Sequence, residues 1–408
     1  MSNLLSFAST MKSLGGVVLA IVILLAMVTI HEFGHYVAGR ILGFKINEFA
    51  VGFGPAIWKK RSKKTGELFA LRIIPLGGYC AFDGEDEYDE PDEKETKDEQ
   101  PLFAEFNGEK SENDGGRVAL NEEKEDEYPE PKGERFNDQP PWKRIIVLVA
   151  GATMNYLLAL TLIFVMFTCI GRPAYKVMAL PSEEATATSV VTDEKSDGFA
   201  IGDVIVKIDG KYMYMITDYM DVLHGKKAGE KVPVTVLRDG KEVVVEMELL
   251  KNADFVNMSD TSTLLTAMGI NSLYSETVNQ SFFAGIGHSF TYSFKIGGTI
   301  LRSLGELLTG KLGLESVGGP ITTIQMTSQA ASSGIGSFLN IASFIGVNLA
   351  VFNLLPIPAL DGCKVIFCVI EWTRKKPVNR KVETIIHLAG IIFLFGFAIL
   401  VDILQLFI

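Results

Sequence analysis

Cysteine is scarce in this sequence, with four residues in 408. They are Cys80, Cys169, Cys363 and Cys368, and they form neither CxxC pairs nor a dense framework. This pattern excludes a disulfide scaffold and a thiolate metal site, so we expect free thiols buried in or beside apolar runs. A basic stripe is also missing, which excludes the electrostatic surface of a nucleic-acid-binding protein. We therefore expect no nucleic-acid partner.

Acidic charge is concentrated in one segment. Residues 83–140 contain 23 Asp and Glu against 7 Lys and Arg, a balance of −16, whereas the whole chain has −11, which leaves +5 for the remainder. Such a segment cannot bury enough apolar surface to offset the entropy of ordering. We therefore predict a disordered cytoplasmic insert over residues 84–140. A solvated spacer is the simpler role for it, and a docking segment is the alternative.

Hydrophobic residues make up 48% of the chain, which is typical of a membrane protein rather than a soluble enzyme. We predict a polytopic α-helical membrane protein with about four transmembrane helices, a membrane-associated β-hairpin and an inserted small α+β domain. The first helix could instead be a signal peptide, but only Lys12 precedes its apolar run and no small-x-small cleavage site follows. The predicted transmembrane segments are residues 1–44, 141–171, 337–373 and, after a basic loop, 374–408.

The segments between these helices differ in pattern. Alternating apolar and small residues with a Thr65-Gly66 turn predict the β-hairpin at residues 45–83. Short alternating strands, Gly-Asp turns and one amphipathic helix predict the α+β domain at residues 172–252. Residues 253–336 are predicted to form a linker followed by an interfacial amphipathic helix.

Lys and Arg cluster in three places: after the first predicted helix, before the second, and between the third and the fourth. By the positive-inside rule, these three loops are cytoplasmic. Both termini and residues 172–252 are then expected on the other side, which is consistent with an even number of spans.

The sequence HEFGH at residues 31–35 is an H-E-x-x-H motif. On a helix, the i, i+4 spacing places the imidazoles of His31 and His35 about 40° apart on one face, where both can bind one zinc ion. Glu32 would then activate a water as general base. His31 lies roughly 22 Å along the helix from Gly16, most of the way across a hydrocarbon core of ~30 Å. Ionisable residues at such depth are costly and mark function, so we predict a zinc site inside the membrane.

Tetrahedral catalytic zinc needs a third protein ligand and leaves the fourth position for water. Asp361 is the best candidate, because it follows a helix that runs in the same direction as the first one. Pro356 and Pro358 break that helix beside it, as is tolerated where unwound backbone surrounds a polar site. Considered alone, Asp361 could almost as well be an ordinary residue at a helix boundary. Its expected position at the same depth as His31 and His35 favours a role as zinc ligand. The remaining histidines, His224, His288 and His387, are expected to be structural.

Three stretches carry a family resemblance: VTIHEFGHYVAGR near the start, RIIPLGGYCAFDGED after the hairpin and NLAVFNLLPIPALDG near the end. They resemble the site-2 protease family, and the resemblance covers nearly the whole chain. The order of segments is similar to that of the branch with a single PDZ domain, and GFAIGDVIVKIDG and VPVTVLRDGKEVVVEMEL resemble such a domain. The sequence departs from the family pattern at Ala152, where proline is usual, and at Cys363, where glycine is usual.

The resemblance implies an intramembrane zinc endopeptidase with His31, His35 and Asp361 as Zn²⁺ ligands, Glu32 as catalytic base and Asn353 as a substrate contact. It implies transmembrane proteins as substrates, cut by regulated intramembrane proteolysis, with anti-sigma factors and remnant signal peptides as typical examples, and a bacterial plasma membrane as location. Two alternatives stay open: a non-catalytic PDZ-bearing membrane scaffold, and a different H-E-x-x-H membrane protease completed by a distal Glu. No feature of the sequence indicates an oligomeric state.

Overall fold

The structure, a computed structural model, describes residues 2–85, 128–180, 198–255, 257 and 259–407. The helices in these ranges are α1 (Ser2–Leu42), α2 (Pro141–Cys169), α3 (Ile216–Leu223), α4 (Thr261–Met268), α5 (Phe282–Leu308), α6 (Pro320–Ser333), α7 (Ile335–Asn353), α8 (Asp361–Arg374) and α9 (Arg380–Phe407). The strands are β1 (Ile46–Arg61), β2 (Leu68–Phe82), β3 (Arg172–Ala179), β4 (Val204–Ile208), β5 (Lys211–Tyr212), β6 (Lys231–Arg238), β7 (Lys241–Glu248) and β8 (Ser272–Val278). The chain divides into two compact units, residues 1–159 with 318–408, and residues 160–317.

Four helices in the described ranges are long and apolar enough to cross a membrane. They are Gly15–Leu42 of α1, Pro141–Cys169, Ile335–Asn353 and Arg380–Gln405 of α9. The shortest has 19 residues, which at 1.5 Å per residue gives about 28 Å, close to the ~30 Å of a hydrocarbon core. The predicted number of membrane-spanning helices is therefore confirmed by length and composition.

The predicted third segment, residues 337–373, is two helices joined by a turn. α7 ends at Asn353 and α8 begins at Asp361. Ala359 in this turn has a φ of 80°, a left-handed conformation that is strained for a residue with a side chain. Its backbone N–H donates to Nδ1 of His387 on α9 at 3.2 Å. A side chain at Gly390, also on α9, would collide with Pro358, so α9 packs directly against the turn.

Small residues let the helices of the first unit approach closely. A Cβ atom at Gly346 of α7 would lie 2.9 Å from Cβ of Ala159 on α2. A Cβ atom at Gly16 of α1 would lie 2.5 Å from Oγ of Ser328 on α6. Such contacts are typical of membrane helix packing, where van der Waals fit replaces the hydrophobic effect as the main attraction.

The hairpin strands β1 and β2 are antiparallel, and each is bent. Gly52 and Gly54 have φ values of 86° and 81°, which allow β1 to turn sharply. Residues 46–51 therefore lie between two parts of β2, pairing with residues 68–71 on one side and with residues 78–82 on the other. In the described part of the chain no strand pairs with the outer edge of residues 78–82.

An aromatic core fixes the base of the hairpin. The rings of Phe44, Phe82 and Phe136 lie with centroids 5.4 to 5.6 Å apart, and Phe136 is 4% exposed. The backbone N–H of Lys45 donates to the carbonyl of Glu134 at 2.9 Å. Residues 128–140 are thus ordered, and the predicted disorder of residues 84–140 does not hold for them. The part of that segment from residue 86 to 127 lies outside the described residues.

The second unit contains a six-stranded sheet in the order β7-β6-β4-β3-β8, with β5 paired to β4. In β6 the buried Val232, Val234 and Val236 alternate with more exposed residues, because successive side chains point to opposite faces. These valines pack with side chains of α3 and α4 in one core. The domain extends past the predicted boundary at residue 252, because α4 and β8 belong to it. Its resemblance to a PDZ domain stays a prediction.

α5 is a 27-residue amphipathic helix in the second unit. It exposes Phe283 by 83% and Phe294 by 69%, and it is not among the four helices that are apolar enough to span. The interfacial location predicted for it stays a prediction.

Candidate metal centre

Two histidines and one carboxylate converge in the first unit. His31 and His35 lie one turn apart on α1, and their Nε2 atoms are 3.1 Å from each other. Asp361 is the first residue of α8, and its Oδ2 lies 3.0 Å from Nε2 of His31 and 3.3 Å from Nε2 of His35. Among the described residues, these three form the group of His, Cys, Asp and Glu side chains that could hold a metal ion.

The geometry of this cluster fits a zinc ion. With Zn–N and Zn–O distances of about 2.0–2.2 Å, the ligand atoms of a tetrahedral site are separated by roughly 3.3–3.5 Å. Of the three distances in the structure, 3.3 Å is at the lower limit of this range, and 3.0 and 3.1 Å are just below it. Oδ2 of Asp361 is buried without a hydrogen-bond partner among the described residues, as expected of an atom reserved for a cation. Two nitrogens and one oxygen leave the fourth position for water.

The outer nitrogen of His35 fixes its tautomer. Nδ1 lies 2.8 Å from the carbonyl oxygen of Val147 on α2, which can only accept a hydrogen bond. The proton of the neutral ring therefore sits on Nδ1, and Nε2 directs its lone pair at the cluster. A backbone carbonyl in this position is a common orienting partner of a metal-binding histidine.

The outer nitrogen of His31 faces two asparagines. Its Nδ1 lies 3.4 Å from Nδ2 of Asn155 on α2 and 3.5 Å from Nδ2 of Asn353, the last residue of α7. Oδ1 of Asn155 is buried and has no hydrogen-bond partner in the described ranges. Rotating this amide by 180° exchanges its oxygen and nitrogen and gives the His31 Nδ1–H an acceptor, which satisfies both groups. Sequence reasoning assigned no role to Asn155, although a polar residue in an apolar span was a signal.

Glycine lets α1 and α2 meet at the cluster. A Cβ atom at Gly151 of α2 would lie 2.5 Å from Nε2 of His35 and 2.8 Å from Cε1 of His31. Gly34, inside the H-E-x-x-H motif, has no room for a side chain either, because a Cβ atom there would collide with the carbonyl of Ala150. The backbone of α2 thus forms one wall of the site, a role of Gly151 that the sequence did not reveal.

Glu32 lies between the cluster and the hairpin. It is close enough to His31, His35 and Asp361 to interact electrostatically with all three. A Cβ atom at Gly78 of β2 would lie 3.4 Å from Cγ of Glu32, so the edge segment of the hairpin passes directly beside this carboxylate. The structure thus brings together the five residues singled out from the sequence: His31, Glu32, His35, Asn353 and Asp361.

A buried charge network holds α8 in place. Glu371 of α8 forms an ion pair with Arg144 of α2, and both side chains are 4% exposed. The other oxygen of Glu371 lies 2.9 Å from Nη2 of Arg380 at the start of α9. Lys364 of α8 pairs with Glu85, just after the hairpin, at 2.6 Å. These contacts tie the helix that carries Asp361 to its neighbours.

Comparison with known proteins gives a consistent family. The sequence model of the family described as Peptidase family M50 matches residues 19–397. The chain is 28% identical to the Regulator of sigma-W protease RasP of Bacillus subtilis over 421 aligned residues, which cover 93% of this chain and 95% of that protein. It is 26% identical to the Zinc metalloprotease RasP of Oceanobacillus iheyensis, over 93% of this chain and 97% of that protein. The matched range includes all five residues of the cluster and its surroundings.

Proposed function

The chain belongs to peptidase family M50, the site-2 protease family, and from this premise we propose that it is an intramembrane endopeptidase, which cuts transmembrane segments of membrane proteins. It is a zinc metalloprotease. Membership of this family excludes the alternative of an unrelated H-E-x-x-H membrane protease. In the proposed function, His31, His35 and Asp361 hold the Zn²⁺ ion and Glu32 is the catalytic base.

The convergence of the three ligand atoms carries the proposal. Two come from a motif near the start of the chain and the third from a helix near its end, and they meet at 3.0 to 3.3 Å. His31 and His35 are 9% and 6% exposed, respectively. Both histidines lie within an apolar helix that is long enough to cross a membrane. Polar groups inside the hydrocarbon core are energetically costly, so their presence there indicates a function.

The chemistry required is the hydrolysis of a peptide bond. A zinc ion held by His31, His35 and Asp361 would supply a Lewis acid that lowers the pKa of a water at the open ligand position. Glu32 would take one proton of that water as the water oxygen attacks the peptide carbonyl, and would return the proton to the leaving amine nitrogen when the C–N bond breaks. Val147 and Asn155 keep the imidazoles oriented during this exchange. In the proposed function Asn353, at the end of α7, contacts the substrate.

A substrate helix must be opened before it is cut, because its carbonyls are hydrogen-bonded internally. Within the described ranges, residues 78–82 have an outer edge to which no strand is paired, and Gly78 lies beside Glu32. An extended substrate that pairs with this edge would pass next to the base. The proposed substrates are transmembrane remnants such as those of anti-sigma factors or signal peptides, in a bacterial membrane. The name of the relative from Bacillus subtilis, a regulator of a sigma factor, supports this class.

The ligand assignment is tested with the wild type and three variants: cleavage of a co-expressed model transmembrane substrate is measured, and the zinc content is determined on each purified protein. Glu32→Gln should retain zinc and lose cleavage, because it removes the base and no ligand. Asp361→Ala should lose both zinc and cleavage. Asp254→Ala, which removes an exposed carboxylate of the second unit, is the matched control and should resemble the wild type. Full zinc content and normal cleavage in Asp361→Ala would refute the ligand set, and a Glu32→Gln protein that cleaves would refute the base.

The strand edge has its own test. Tyr79→Pro and Cys80→Pro each remove one backbone N–H donor from the edge strand. Because successive N–H groups of a strand point in opposite directions, one of these two N–H groups points to the outer edge. The outward substitution should lower cleavage while zinc remains bound. Lys63→Pro, in the loop between the strands, is the control. Unchanged cleavage in both edge variants would argue against substrate pairing with this strand.

A further inference from the structure

A cleft opens between β5 and α5 in the second unit, and none of its lining residues takes part in the proposed hydrolysis. Its volume is about 600 Å³. The residues that matter to its chemistry are Lys211, Tyr212, Tyr214, Gly287, His288 and Lys295. Gly287 leaves open space on its side of the cleft, since a Cβ atom there would meet nothing within 4 Å.

Cations surround the two tyrosine rings of the cleft. Nζ of Lys207 lies 4.6 Å from the ring centroid of Tyr212, and the guanidinium of Arg172 lies 5.1 Å from the same centroid. Nζ of Lys295 lies 5.3 Å from the ring centroid of Tyr214. Lys211 and Lys295 line the cleft, and Lys207 and Arg172 lie against the ring of Tyr212, which is itself a lining residue.

Acidic side chains compensate this charge only in part. Asp218 accepts from Lys295 at 2.6 Å. Glu242 is 4.0 Å from Lys207, and its side chain is 59% exposed, so that pair contributes little. Arg172 is 2% exposed and donates to the carbonyl of Met213, and among the described residues no carboxylate lies within ion-pair distance of it. A buried guanidinium without a counter-charge is costly, and an anion in the cleft would reduce that cost.

His288 reports the same positive potential. Its Nδ1 is hydrogen-bonded to the hydroxyl of Tyr214, and its ring packs edge-on against Tyr212 at 4.5 Å. Burial lowers the pKa of His288, and the nearby charges of Arg172 and Lys207 lower it further. The imidazole therefore stays neutral at pH 7, and the cations beside it remain available to an anionic ligand.

The exposed face of α5 indicates where the anion comes from. Phe283, Phe290, Phe294 and Leu301 form an apolar stripe and are 47% to 83% exposed. The cleft residues of α5 lie about 100° around the helix from this stripe, by the 3.6-residue period. A helix with an exposed apolar stripe and basic residues on its flank is typical of one that lies in a membrane interface. In that position the flank is at the depth of the lipid phosphates.

We propose that the cleft between β5 and α5 binds the phosphate of an anionic phospholipid headgroup. Lys211 and Lys295, which line the cleft, are the cations that contact the phosphate, and Lys207 adds to the attraction from its place against the ring of Tyr212. The buried Arg172 adds to the attraction from behind the tyrosine rings. The bound lipid anchors the second unit to an anionic membrane surface.

The test uses the full chain in detergent micelles and native mass spectrometry to count retained lipids. Short-chain phosphatidylglycerol, short-chain phosphatidylcholine and inorganic phosphate are added separately at equal concentrations. We expect retention of phosphatidylglycerol and not of phosphatidylcholine, and competition by inorganic phosphate only at much higher concentrations, because it lacks acyl chains that contact the apolar stripe.

Two variants examine the cleft itself. Lys207→Gln with Lys211→Gln should lower phosphatidylglycerol affinity by up to about 25-fold, since each lysine near an anionic lipid contributes about fivefold. Gly287→Leu should lower retention by filling the cleft without changing charge. The matched control, Lys227→Gln with Lys251→Gln, removes two exposed lysines of the same unit outside the cleft and should leave retention unchanged.

Three results would overturn the proposal. Retention of phosphatidylglycerol by both cleft variants at the wild-type level would place lipid binding elsewhere. Saturation by inorganic phosphate alone, without retention of phosphatidylglycerol, would mean a free-anion site rather than a lipid site. A peptide with a free C-terminal carboxylate that the wild type binds and the cleft variants lose, while phosphatidylglycerol retention stays the same, would make the cleft a peptide site.

Discussion

Gly151→Ala is the substitution that best tests the geometry of the metal centre, because it adds one methyl group and changes no polar atom. The new Cβ atom would lie 2.5 Å from Nε2 of His35, whereas ordinary contacts begin at 3.4 Å, so the overlap is about 0.9 Å. The neighbouring Cε1 of His31, at 2.8 Å, would be displaced as well. Where the added methyl group meets open space, a Gly→Ala substitution stabilises a helix by about 1 kcal/mol.

The expected loss of zinc affinity follows from the small variation in ligand distances that a zinc site allows. Ligand distances in such sites vary by only about 0.2 Å, so relief of a 0.9 Å overlap by the imidazoles exceeds that tolerance several-fold. Changes to residues that orient metal ligands typically cost 10- to 100-fold in metal affinity. We expect Gly151→Ala to reach the upper end, roughly 100-fold, and to lose cleavage in proportion.

Zinc affinity is measured by competition with a chelator of known strength, and cleavage with the model transmembrane substrate. Gly15→Ala on α1 and Gly396→Ala on α9 are matched controls, because a Cβ atom at either position meets nothing within 4 Å. The thermal unfolding of each metal-free protein separates a general packing defect from a defect at the site. Wild-type zinc affinity and cleavage in Gly151→Ala would refute the placement of α2 against the two imidazoles.

Three further predictions concern other groups. Asn155→Ala should lower zinc affinity about tenfold in the same chelator competition, because it removes an orienting acceptor, and Asn155→Asp, which keeps an acceptor, should retain more affinity. Glu371→Gln should lower the free energy of unfolding by about 3 kcal/mol, because the buried Arg144 loses its counter-charge; an unchanged denaturation midpoint would contradict this. Lys207→Gln should raise the pKa of His288, measured by histidine NMR, because one of its two cationic neighbours is removed. Since the folded pKa of His288 lies below its ordinary value of about 6.5, its contribution to stability is full above that pH and is lost as the pH falls.

The metal cluster was largely predictable from sequence, for physical reasons. The H-E-x-x-H spacing fixes His31 and His35 on one helix face, whatever the rest of the fold does. Asp361 required a further step, the direction and depth of its helix, and the structure places its carboxylate within 3.3 Å of both histidines. The sequence alone gives no role to Gly151 and Asn155. Their importance depends on how α2 is rotated against α1, which hydrophobic periodicity in a uniformly apolar helix does not define.

The errors in the fold have local causes. The disorder of residues 84–140 was predicted from their overall acidic composition, which gives no weight to a single aromatic residue. The ring of Phe136 in this segment completes the aromatic core with Phe44 and Phe82. The strand β8, sequence SLYSETV, is partly exposed at the edge of its sheet, so it lacks the apolar alternation by which buried strands are identified. The bend at Gly52 and Gly54 converts a simple hairpin into a sheet of four segments, which alternation alone does not indicate.

The separation of the proposed ligands along the chain has a consequence for biosynthesis. His31 and His35 are made at the start, and Asp361 is made only after the whole second unit and helix α7. A nascent chain therefore has two of the three ligands, and its affinity for zinc is correspondingly weak. The three proposed ligands are therefore present together only after the first three long apolar helices, α1, α2 and α7, have been made, so these helices are synthesised before the proposed hydrolytic centre can be complete.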